Sequence, residues 1–285
     1  MKIAVTAASG KLGSAIVKAT SELLGSEGVI AVARSTEKAR GLGVEVRAGS
    51  YDDRAALERA FQGIDAVLLV SGMDAPDKRV VQHRNVIDAA KSAGVQKMVY
   101  TSVQGPLADS AFSPIVQSNR QTEEDLKASG LDWTIGRNGI YIEPDVEYID
   151  QYASSGEIVN CAGDGLCGYT TRPELAHAYA RMLTQPQHSG QTYKLHGERI
   201  TQATLAQHLS DAFGVPLRYR EMDVEAYRAD RIAELGEFIG NVVAGIYEGI
   251  RDGAYDAPSD FKAAAGRDHQ CWSDYFAVLK RGRAS

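Results

Sequence analysis

The amino-acid sequence predicts an α/β protein, with a doubly wound parallel sheet followed by a smaller α+β domain. Three observations predict this fold. Six short apolar runs alternate with amphipathic stretches over the first half of the chain, which is the pattern of βαβ units. The first run leads directly into a glycine-containing turn, TAASGKLG (6–13), and the alternation ends near residue 140. A first strand that opens onto a glycine turn is typical of the Rossmann-type arrangement.

The six predicted strands are the apolar runs KIAVT (2–6), VIAVA (29–33), VEVRA (44–48), AVLLV (66–70), KMVYT (97–101) and WTIGR (133–137). Amphipathic helices are predicted between them, including LGSAIVKATSELL after the turn and RAALERAFQG before Asp65. Two further helices, HRNVIDAAKSAGV (83–95) and SNRQTEEDLKASG (118–130), each end at a glycine, which favours helix termination.

In the second half of the chain the regular alternation of strands and helices ends. The predicted elements are a helix in TTRPELAHAYARMLTQP (170–186), a strand TYKL (192–195), a helix capped by Thr201, a strand LRYRE (217–221) and one long helical stretch from about 225 to 251. We expect residues 1–140 to form the sheet domain, with late elements near 158–195 returning to it. Residues 141–285 are then a smaller substrate-binding or lid region across the carboxyl edge of the sheet, where ligands bind in such folds.

Composition excludes several classes of protein. The formal charge of −6, without a Lys/Arg run, argues against a nucleic-acid binder. No apolar run approaches the roughly 18–20 residues that span a bilayer. The first ten residues resemble a strand and turn rather than a signal peptide, so we expect a cytoplasmic protein without a membrane partner. Cys161 and Cys167 have the wrong spacing for a zinc site, so we predict small buried thiols and no metal.

The glycine turn predicts a nucleotide site. Free backbone N–H groups at the start of the following helix favour a pyrophosphate, and Gly10 and Gly13 have the spacing that lets backbone approach phosphate and helix approach strand. Ala7 occupies the position of the first glycine, and we expect it to take a backbone conformation that tolerates a Cβ. An ordinary βα turn with two chance glycines is the alternative. The predicted cofactor-binding residues of the turn are Thr6, Ala7, Ser9, Gly10, Lys11, Leu12 and Gly13.

Arg34, at the end of the second strand, indicates NADPH (NADP⁺) rather than NADH. NAD sites usually place an acidic residue there for the ribose hydroxyl, whereas a guanidinium suits the 2′-phosphate. A solvated loop arginine is the alternative. Polar residues and a glycine that end the next strands mark where the rest of a dinucleotide would run, although each also suits a structural role. They are Ser50, Tyr51, Ser71, Gly72, Thr101 and Ser102.

The chain lacks the Tyr-x-x-x-Lys pair that a short-chain dehydrogenase uses to exchange a proton with a carbonyl oxygen. No tyrosine of the chain is followed four residues later by lysine. A reaction at this site would therefore depend on hydride delivery to an acceptor that is already electrophilic, such as a quinone or a conjugated or cationic dye, with positioning as the main contribution of the protein.

Several segments resemble NmrA-like atypical short-chain dehydrogenase/reductases, in particular the quinone oxidoreductase and triphenylmethane reductase branch. The segments are TAASGKLG, VEVRAGSYDD, VVQHRNVIDAAKSAGVQKMVYTS, RQTEEDLKASGLDWTIGRNGIY and TTRPELAHAYARML, and the likeness runs from residue 2 to about 220. The resemblance implies an NAD(P)-binding Rossmann domain, NADPH as cofactor and a substrate cleft between the two regions.

The chain departs from the family pattern in the glycine turn and at the position that faces the nicotinamide. Members of the family commonly have the sequence TGATGQLG in this turn, so Ala7 replaces a glycine and Lys11 replaces an uncharged residue. Asn119 stands where the family often has His or Lys facing the nicotinamide, and an amide cannot donate a proton in the same way. Asn138 and Tyr141, in RNGIY, fall where the family's chain passes towards the substrate cleft. Asn119 and Tyr141 are assigned positioning roles in catalysis, and Asn138 a role in cofactor binding; for Tyr141, packing at the domain junction is the alternative.

The sequence therefore predicts an NADPH-dependent oxidoreductase that reduces quinones or similar conjugated aromatic acceptors by direct hydride transfer. Its partner would be a small aromatic or quinone-like molecule, and a homodimer is one option for its assembly. A non-catalytic, redox-sensing NADP(H)-binding regulator is the alternative from another class. A reductase, dehydratase or epimerase of a specialised metabolite is also left open.

Overall fold

The computed structural model describes residues 1–284. Its strands, in chain order, are β1 (Ile3–Val5), β2 (Val29–Ala33), β3 (Glu45–Ala48), β4 (Ala66–Val70), β5 (Lys97–Val103), β6 (Asp132–Asn138), β7 (Ile140–Tyr141), β8 (Glu157–Asn160), β9 (Cys167–Thr170), β10 (Gln191–Leu195), β11 (Arg199–Ile200) and β12 (Arg218–Glu221). Its helices are α1 (Lys11–Leu24), α2 (Arg54–Ala60), α3 (Pro76–Ser92), α4 (Ser113–Lys127), α5 (Glu143–Glu147), α6 (Ile149–Ser155), α7 (Arg172–Thr184), α8 (Gln202–Phe213), α9 (Val224–Leu235), α10 (Glu237–Arg251), α11 (Phe261–Ala265) and α12 (Trp272–Ala284).

The predicted fold class is confirmed. Seven parallel strands form the central sheet in the order β10-β6-β5-β4-β1-β2-β3. The order changes direction at β1, because β2 lies on one side of it and β4 on the other. Loops that leave the carboxyl ends of β1 and β4 therefore diverge and open a crevice, which is where ligands bind in open α/β sheets.

Side chains of the sheet alternate between two cores. Ile3 and Val5 of β1 pack with Ile16 of α1 on one face, together with the buried side of α7. Ala4 of β1 belongs to the other face, where it packs with Val86 of α3. The strands β1, β2 and β4 are buried on both faces, so they are apolar throughout rather than alternating and were visible in the sequence as continuous apolar runs. The edge strand β3 is partly exposed and carries Glu45 and Arg47.

The later part of the chain divides between the two regions. Strand β10, predicted as TYKL, joins the central sheet beside β6, and α7 packs against α1. Strands β7, β9 and β11 form a separate small sheet, and β8 pairs with β12. A third core, which includes Tyr169 and Trp272, fills this region. Among the helices of residues 1–284, none is long and apolar enough to cross a membrane.

Three predicted helices differ from those observed. Helix α3 begins at Pro76, well before residue 83, because a proline fits the first helical position. Helix α4 likewise begins at Ser113, with Pro114 in its first turn. The single helical stretch predicted from 225 to 251 is wrong. Gly236 takes φ +80°, and this left-handed residue separates α9 from α10 so that the two helices pack against each other.

Candidate cofactor-binding and active site

The glycine turn follows β1 at the crevice. The expectation that Ala7 would adopt a conformation tolerant of a Cβ is wrong, since its φ is +47°, in the left-handed region. Two backbone hydrogen bonds hold the turn in this shape. The N–H of Gly10 donates to the carbonyl of Ala7 at 2.9 Å, and the N–H of Ala8 donates to Val32 of β2 at 3.1 Å. Ala7 therefore has the left-handed backbone conformation that a glycine would adopt without strain, and its Cβ makes this conformation strained.

Helix α1 begins in a way that suits an anion. Gly10 is its N-cap and supplies no side-chain acceptor, and the N–H groups of Lys11, Leu12 and Gly13 have no hydrogen-bond partner among residues 1–284. A Cβ on Gly13 would come within about 3.0 Å of the backbone of Ala8, so glycine is needed for the helix to lie this close to the turn. Three free N–H groups at a helix N-terminus form an anion cradle.

The side chains of the turn differ in what they can contribute. Leu12 is buried in the core, so only its backbone faces the crevice, whereas Ser9 is exposed. Lys11 points to α5, where its ammonium lies 2.8 Å from Oε1 of Glu147. Arg172 of α7 approaches the same carboxylate at 4.0 Å. The turn is thus connected electrostatically to the second region of the chain.

Thr6 and Tyr51 support the crevice from inside the sheet. Thr6 Oγ1 lies 2.5 Å from the hydroxyl of Tyr51 and 2.9 Å from the carbonyl of Leu68, and it accepts the N–H of Val70 at 3.0 Å. The hydroxyl of Tyr51 also donates to the carbonyl of Val70 at 2.7 Å. Burial raises the pKa of Tyr51 and keeps it protonated. Both hydroxyls are satisfied within the protein, so they set the spacing of β1 and β4.

Arg34 is exposed at the end of β2, as predicted. Its charge acts on a polar group that sequence patterns did not indicate, formed by Gln82 of α3 with Asp52 and Asp74. Nε2 of Gln82 donates to Asp52 at 3.0 Å and to Asp74 at 2.7 Å. The hydrogen bonds from Gln82 and Lys78, followed by the charges of Lys78 and Arg34, lower the pKa of Asp74. Arg34 therefore lies within the electrostatic reach of Asp74, at the place expected for the ribose.

Ser71 and Gly72, which follow β4, are held by side chains from three elements. The N–H of Ser71 donates to Oγ1 of Thr101 on β5 at 2.9 Å, and the N–H of Gly72 donates to Nε2 of His83 at 2.9 Å. Because Nε2 accepts, the proton of His83 is on Nδ1, which lies 2.9 Å from Oγ1 of Thr122. Burial and the nearby charge of Arg79 lower the pKa of His83 to about 3. His83 is a buried, neutral support of this loop that sequence spacing did not single out.

Asn119 lies beneath Ser71 rather than in the crevice. Its side chain is only 1% exposed. Its Oδ1 accepts from the hydroxyl of Tyr100 at 2.6 Å and from that of Ser71 at 3.2 Å, and its Nδ2 donates to the carbonyl of Ile115 at 2.8 Å. Each of its side-chain polar atoms has a partner within the protein, and one of these partners is Ser71.

Ser102, at the end of β5, is part of a buried ionic cluster. Its hydroxyl donates to Oε1 of Glu123 at 2.6 Å, and Arg137 and Arg120 pair with the same carboxylate at 2.6 Å and 2.8 Å. Burial opposes ionisation of Glu123, but the hydrogen bond from Arg137 and the charge of Arg120 hold its pKa below the usual value. This cluster fixes the carboxyl ends of β5 and β6 relative to α4.

Asn138, Tyr141 and Tyr179 form an oriented chain of hydrogen bonds at the end of β6. The hydroxyl of Tyr179 donates to Oδ1 of Asn138 at 2.6 Å, which fixes the orientation of the amide. Nδ2 of Asn138 then donates to the hydroxyl of Tyr141 at 3.2 Å. Since this hydroxyl oxygen accepts, its own proton is free to donate elsewhere. Burial raises the pKa of the half-buried Tyr141, so the proton is retained at neutral pH.

Cys161 and Cys167 are buried free thiols, as predicted. Burial raises the pKa of the Cys161 thiol to about 11 and that of Cys167 further, so both are unreactive. Over residues 1–284, no group of three or more His, Cys, Asp or Glu side chains is arranged to hold a metal ion.

Comparison with known proteins gives consistent relatives. Residues 7–186 match the profile of the NAD(P)H-binding family. Quinone oxidoreductase 2 of Escherichia coli K12 is 34% identical over 80% of each chain, and the structure of the E. coli NADPH-dependent quinone oxidoreductase with NADPH superposes with a TM-score of 0.89, at 30% identity over 97% of this chain and 99% of that one.

Two further relatives point the same way. The triphenylmethane reductase of Citrobacter sp., complexed with NADP(H), superposes with a TM-score of 0.89 at 31% identity, covering 98% of this chain and 99% of that one. An NmrA-like family domain-containing oxidoreductase of Aspergillus flavus is 30% identical over 78% of this chain and 76% of its own.

Proposed function

The chain belongs to the NAD(P)H-binding family, in its NmrA-like branch of atypical short-chain dehydrogenase/reductases, and on this premise we propose that it is an NADPH-dependent oxidoreductase that reduces quinones or similar conjugated aromatic acceptors by direct hydride transfer. Its quinone oxidoreductase and triphenylmethane reductase relatives, both solved with the phosphorylated dinucleotide, support the reaction class and the cofactor.

The observation that carries the proposal is the uncapped start of α1. Three backbone N–H groups, of Lys11, Leu12 and Gly13, lack partners in the described part of the chain, at the edge where β1 and β4 diverge. These groups fit a pyrophosphate, and the helix dipole adds a favourable potential for its charge. Arg34, exposed at the end of β2, is in the position to hold the 2′-phosphate through its guanidinium fork.

The chain's own residues mainly position the reactants. When bound, a reduced nicotinamide supplies the hydride. The hydroxyl oxygen of Tyr141 accepts a hydrogen bond from Nδ2 of Asn138, and its own proton is retained and has no acceptor among the described residues. This hydroxyl can donate a hydrogen bond to the oxygen of an acceptor, where negative charge develops as the acceptor is reduced. The loop of Ser71 and Gly72, fixed by Asn119 and His83, forms the opposite wall of the crevice.

The direct test is turnover. Purified full-length protein is mixed with NADPH and a panel of quinones of differing ring size, and loss of the reduced nicotinamide absorbance is followed with NADH as the parallel cofactor. We expect acceptor-dependent oxidation of NADPH and a much lower rate with NADH. Tight NADPH binding without turnover on any quinone or conjugated aromatic acceptor would overturn the catalytic proposal.

One observation favours a second function, a redox-sensing regulator. Asn119 is buried and hydrogen-bonded to Tyr100 and Ser71, so it offers no proton to an acceptor. A sensor requires different affinities for NADPH and NADP⁺, and it requires no turnover. Calorimetric titration with both forms of the cofactor, alongside the turnover assay, separates the two functions.

A further inference from the structure

A cavity of about 380 Å³ lies in the second region. It is bounded by α5, α6, β8, β12, α9 and α10, and none of the residues assigned to the cofactor contributes to its wall. Its volume falls within the range of small-molecule sites. The proposed oxidoreductase function does not account for it.

The cavity contains a buried carboxyl group. Asp145 of α5 is 4% exposed and lines the wall. The hydroxyl of Tyr152 donates to its Oδ1 at 3.0 Å, and that of Tyr247 donates to the same oxygen at 3.4 Å. Oδ2 has no hydrogen-bond partner among residues 1–284, and no Lys, Arg or His of those residues lies within 4.0 Å of the carboxylate. Its ionised form is therefore buried without a countercharge, which is costly.

Aromatic rings form much of the remaining wall. Tyr148 and Tyr152 lie with ring centroids 6.2 Å apart, and the rings of Tyr227 and Tyr247 meet edge to face at 5.5 Å. The faces of such rings attract cations, most strongly where water is excluded. The guanidinium of Arg231 already lies over the ring of Tyr227, 5.5 Å from its centroid, which leaves Tyr148, Tyr152 and Tyr247 as the rings for a ligand. A carboxylate together with several tyrosine rings is a combination that selects positive charge on an apolar body.

The other charged side chains of the wall already have partners. Arg220 pairs with Glu157 at 2.6 Å. Arg231 pairs with Asp230 at 2.5 Å and with Glu234 at 2.6 Å. These arginines are therefore not available to neutralise Asp145, and the one uncompensated charge of the wall is negative.

We propose that this cavity binds an organic cation, a protonated amine carried on an aromatic or aliphatic body, with the ammonium at Asp145 and the body between the tyrosine rings. The site is distinct from the nucleotide crevice. The two share α5, whose Glu147 pairs with Lys11 of the glycine turn while Asp145 of the same short helix lines the cavity.

The test uses benzylamine as the probe and benzyl alcohol as its neutral analogue of similar shape. Binding to the full chain is measured by calorimetry at about pH 8, where the amine is protonated and Asp145 is ionised. We expect benzylamine to bind saturably, with one site per chain, and benzyl alcohol to bind at least about tenfold more weakly. Absence of benzylamine binding, or equal binding of the two compounds, would overturn the proposal.

Variants locate the site. Asp145→Asn keeps the shape of the side chain and should weaken benzylamine binding at least about tenfold, whereas Asp150→Asn, an exposed carboxylate on α6 outside the wall, should leave it unchanged. Val243→Trp, from a half-buried wall position on α10, should block the cavity and abolish binding. NADPH titration and circular dichroism of each variant establish that it is folded. Undiminished benzylamine binding in folded Asp145→Asn or Val243→Trp would place the amine elsewhere and overturn the proposal.

Discussion

The ammonium of Lys11 lies 2.8 Å from a carboxylate oxygen of Glu147, so an exposed ion pair joins the glycine turn to α5. This contact places a negative charge beside the N-terminus of α1, where the phosphates of a dinucleotide are expected. Lys11 was predicted to contact the cofactor, and in this structure it pairs with Glu147, whose carboxylate also lies 4.0 Å from the guanidinium of Arg172. A phosphate bound at the turn would therefore compete with Glu147 for the same cation.

We expect Glu147→Gln to tighten NADPH binding about two- to fivefold at low salt, because it removes a like charge from the phosphate site and releases Lys11. The pair is exposed, so the effect should shrink at high ionic strength. Fluorescence titration with NADPH at two salt concentrations measures it. Glu22→Gln, an exposed carboxylate near the other end of α1, is the matched control. An effect of equal size in the control would show that only net charge matters.

Arg34→Glu should weaken NADPH binding by at least about 2 kcal/mol, roughly 30-fold, and NADH binding far less. The reason is loss of a charge-assisted fork together with new repulsion of the 2′-phosphate. Arg40→Glu is the control, since Arg40 is also exposed but pairs with Glu37 at 2.8 Å. Titration of each variant with both cofactors is the measurement. Equal losses for NADPH and NADH would show that Arg34 does not contact the phosphate.

Tyr141→Phe should lower kcat for quinone reduction by about 10- to 100-fold while NADPH affinity stays unchanged, because the donor to the acceptor oxygen is removed and the ring remains. Steady-state kinetics and NADPH titration separate the two effects. Tyr193→Phe, on β10, serves as the control because it removes a buried hydroxyl bonded to His188, away from the crevice. If kcat is unchanged in Tyr141→Phe, the residue only packs the junction.

Ala7→Gly should raise the free energy of unfolding by about 0.5–1 kcal/mol. A left-handed conformation costs alanine about 1–2 kcal/mol, and the greater flexibility of unfolded glycine offsets part of the gain. Urea denaturation measures the change. Ala8→Gly should have the opposite sign, because Ala8 is fully buried and its methyl group packs in the core. Destabilisation by both substitutions would argue that the turn is not strained.

Asp145 should make the folded protein less stable as the pH rises, the reverse of the usual effect of a carboxyl group. Burial raises its pKa from 3.8 to about 6, so the protonated form is favoured in the folded state. Its stabilising contribution is present below about pH 4 and is lost as pH rises through 6. Asp145→Asn should therefore exceed the wild type by about 3 kcal/mol at pH 8 and match it in acid, as measured by denaturation at a series of pH values. A difference independent of pH would contradict this assignment, and Asp150→Asn should show none.

Much of the fold was predictable because both faces of the sheet are buried. Apolar runs located the first six strands, and TYKL was also correctly predicted as a strand, which is β10. The break between α9 and α10 was missed because it depends on a single left-handed residue, Gly236, inside a helical pattern. The short helix α5 has too few residues for any periodicity to be visible.

The site was predictable where backbone spacing determines it and not where tertiary packing does. Gly10 and Gly13 were found from their spacing alone. The burial of Asn119 depends on Tyr100, which another element brings beneath the crevice. The role of His83 depends equally on a loop N–H, that of Gly72. Asp145 is a buried carboxyl group only because the tyrosines of two other helices, Tyr152 and Tyr247, pack around it.

Strand β10 pairs with β6 over Gln191–Leu195, so the main chain leaves the sheet at Asn138 and re-enters it beside the same strand. The connecting segment, residues 139–190, contributes β7, β8 and β9 to the second region and α7 to the sheet core. Because this segment is attached to the sheet at both of its ends, we expect the crevice to open by sliding of packed helices rather than by rotation about one hinge. Truncation after Asn138 would not leave an independent nucleotide-binding unit, because it would also remove β10, the edge strand of the sheet, and expose the backbone of β6.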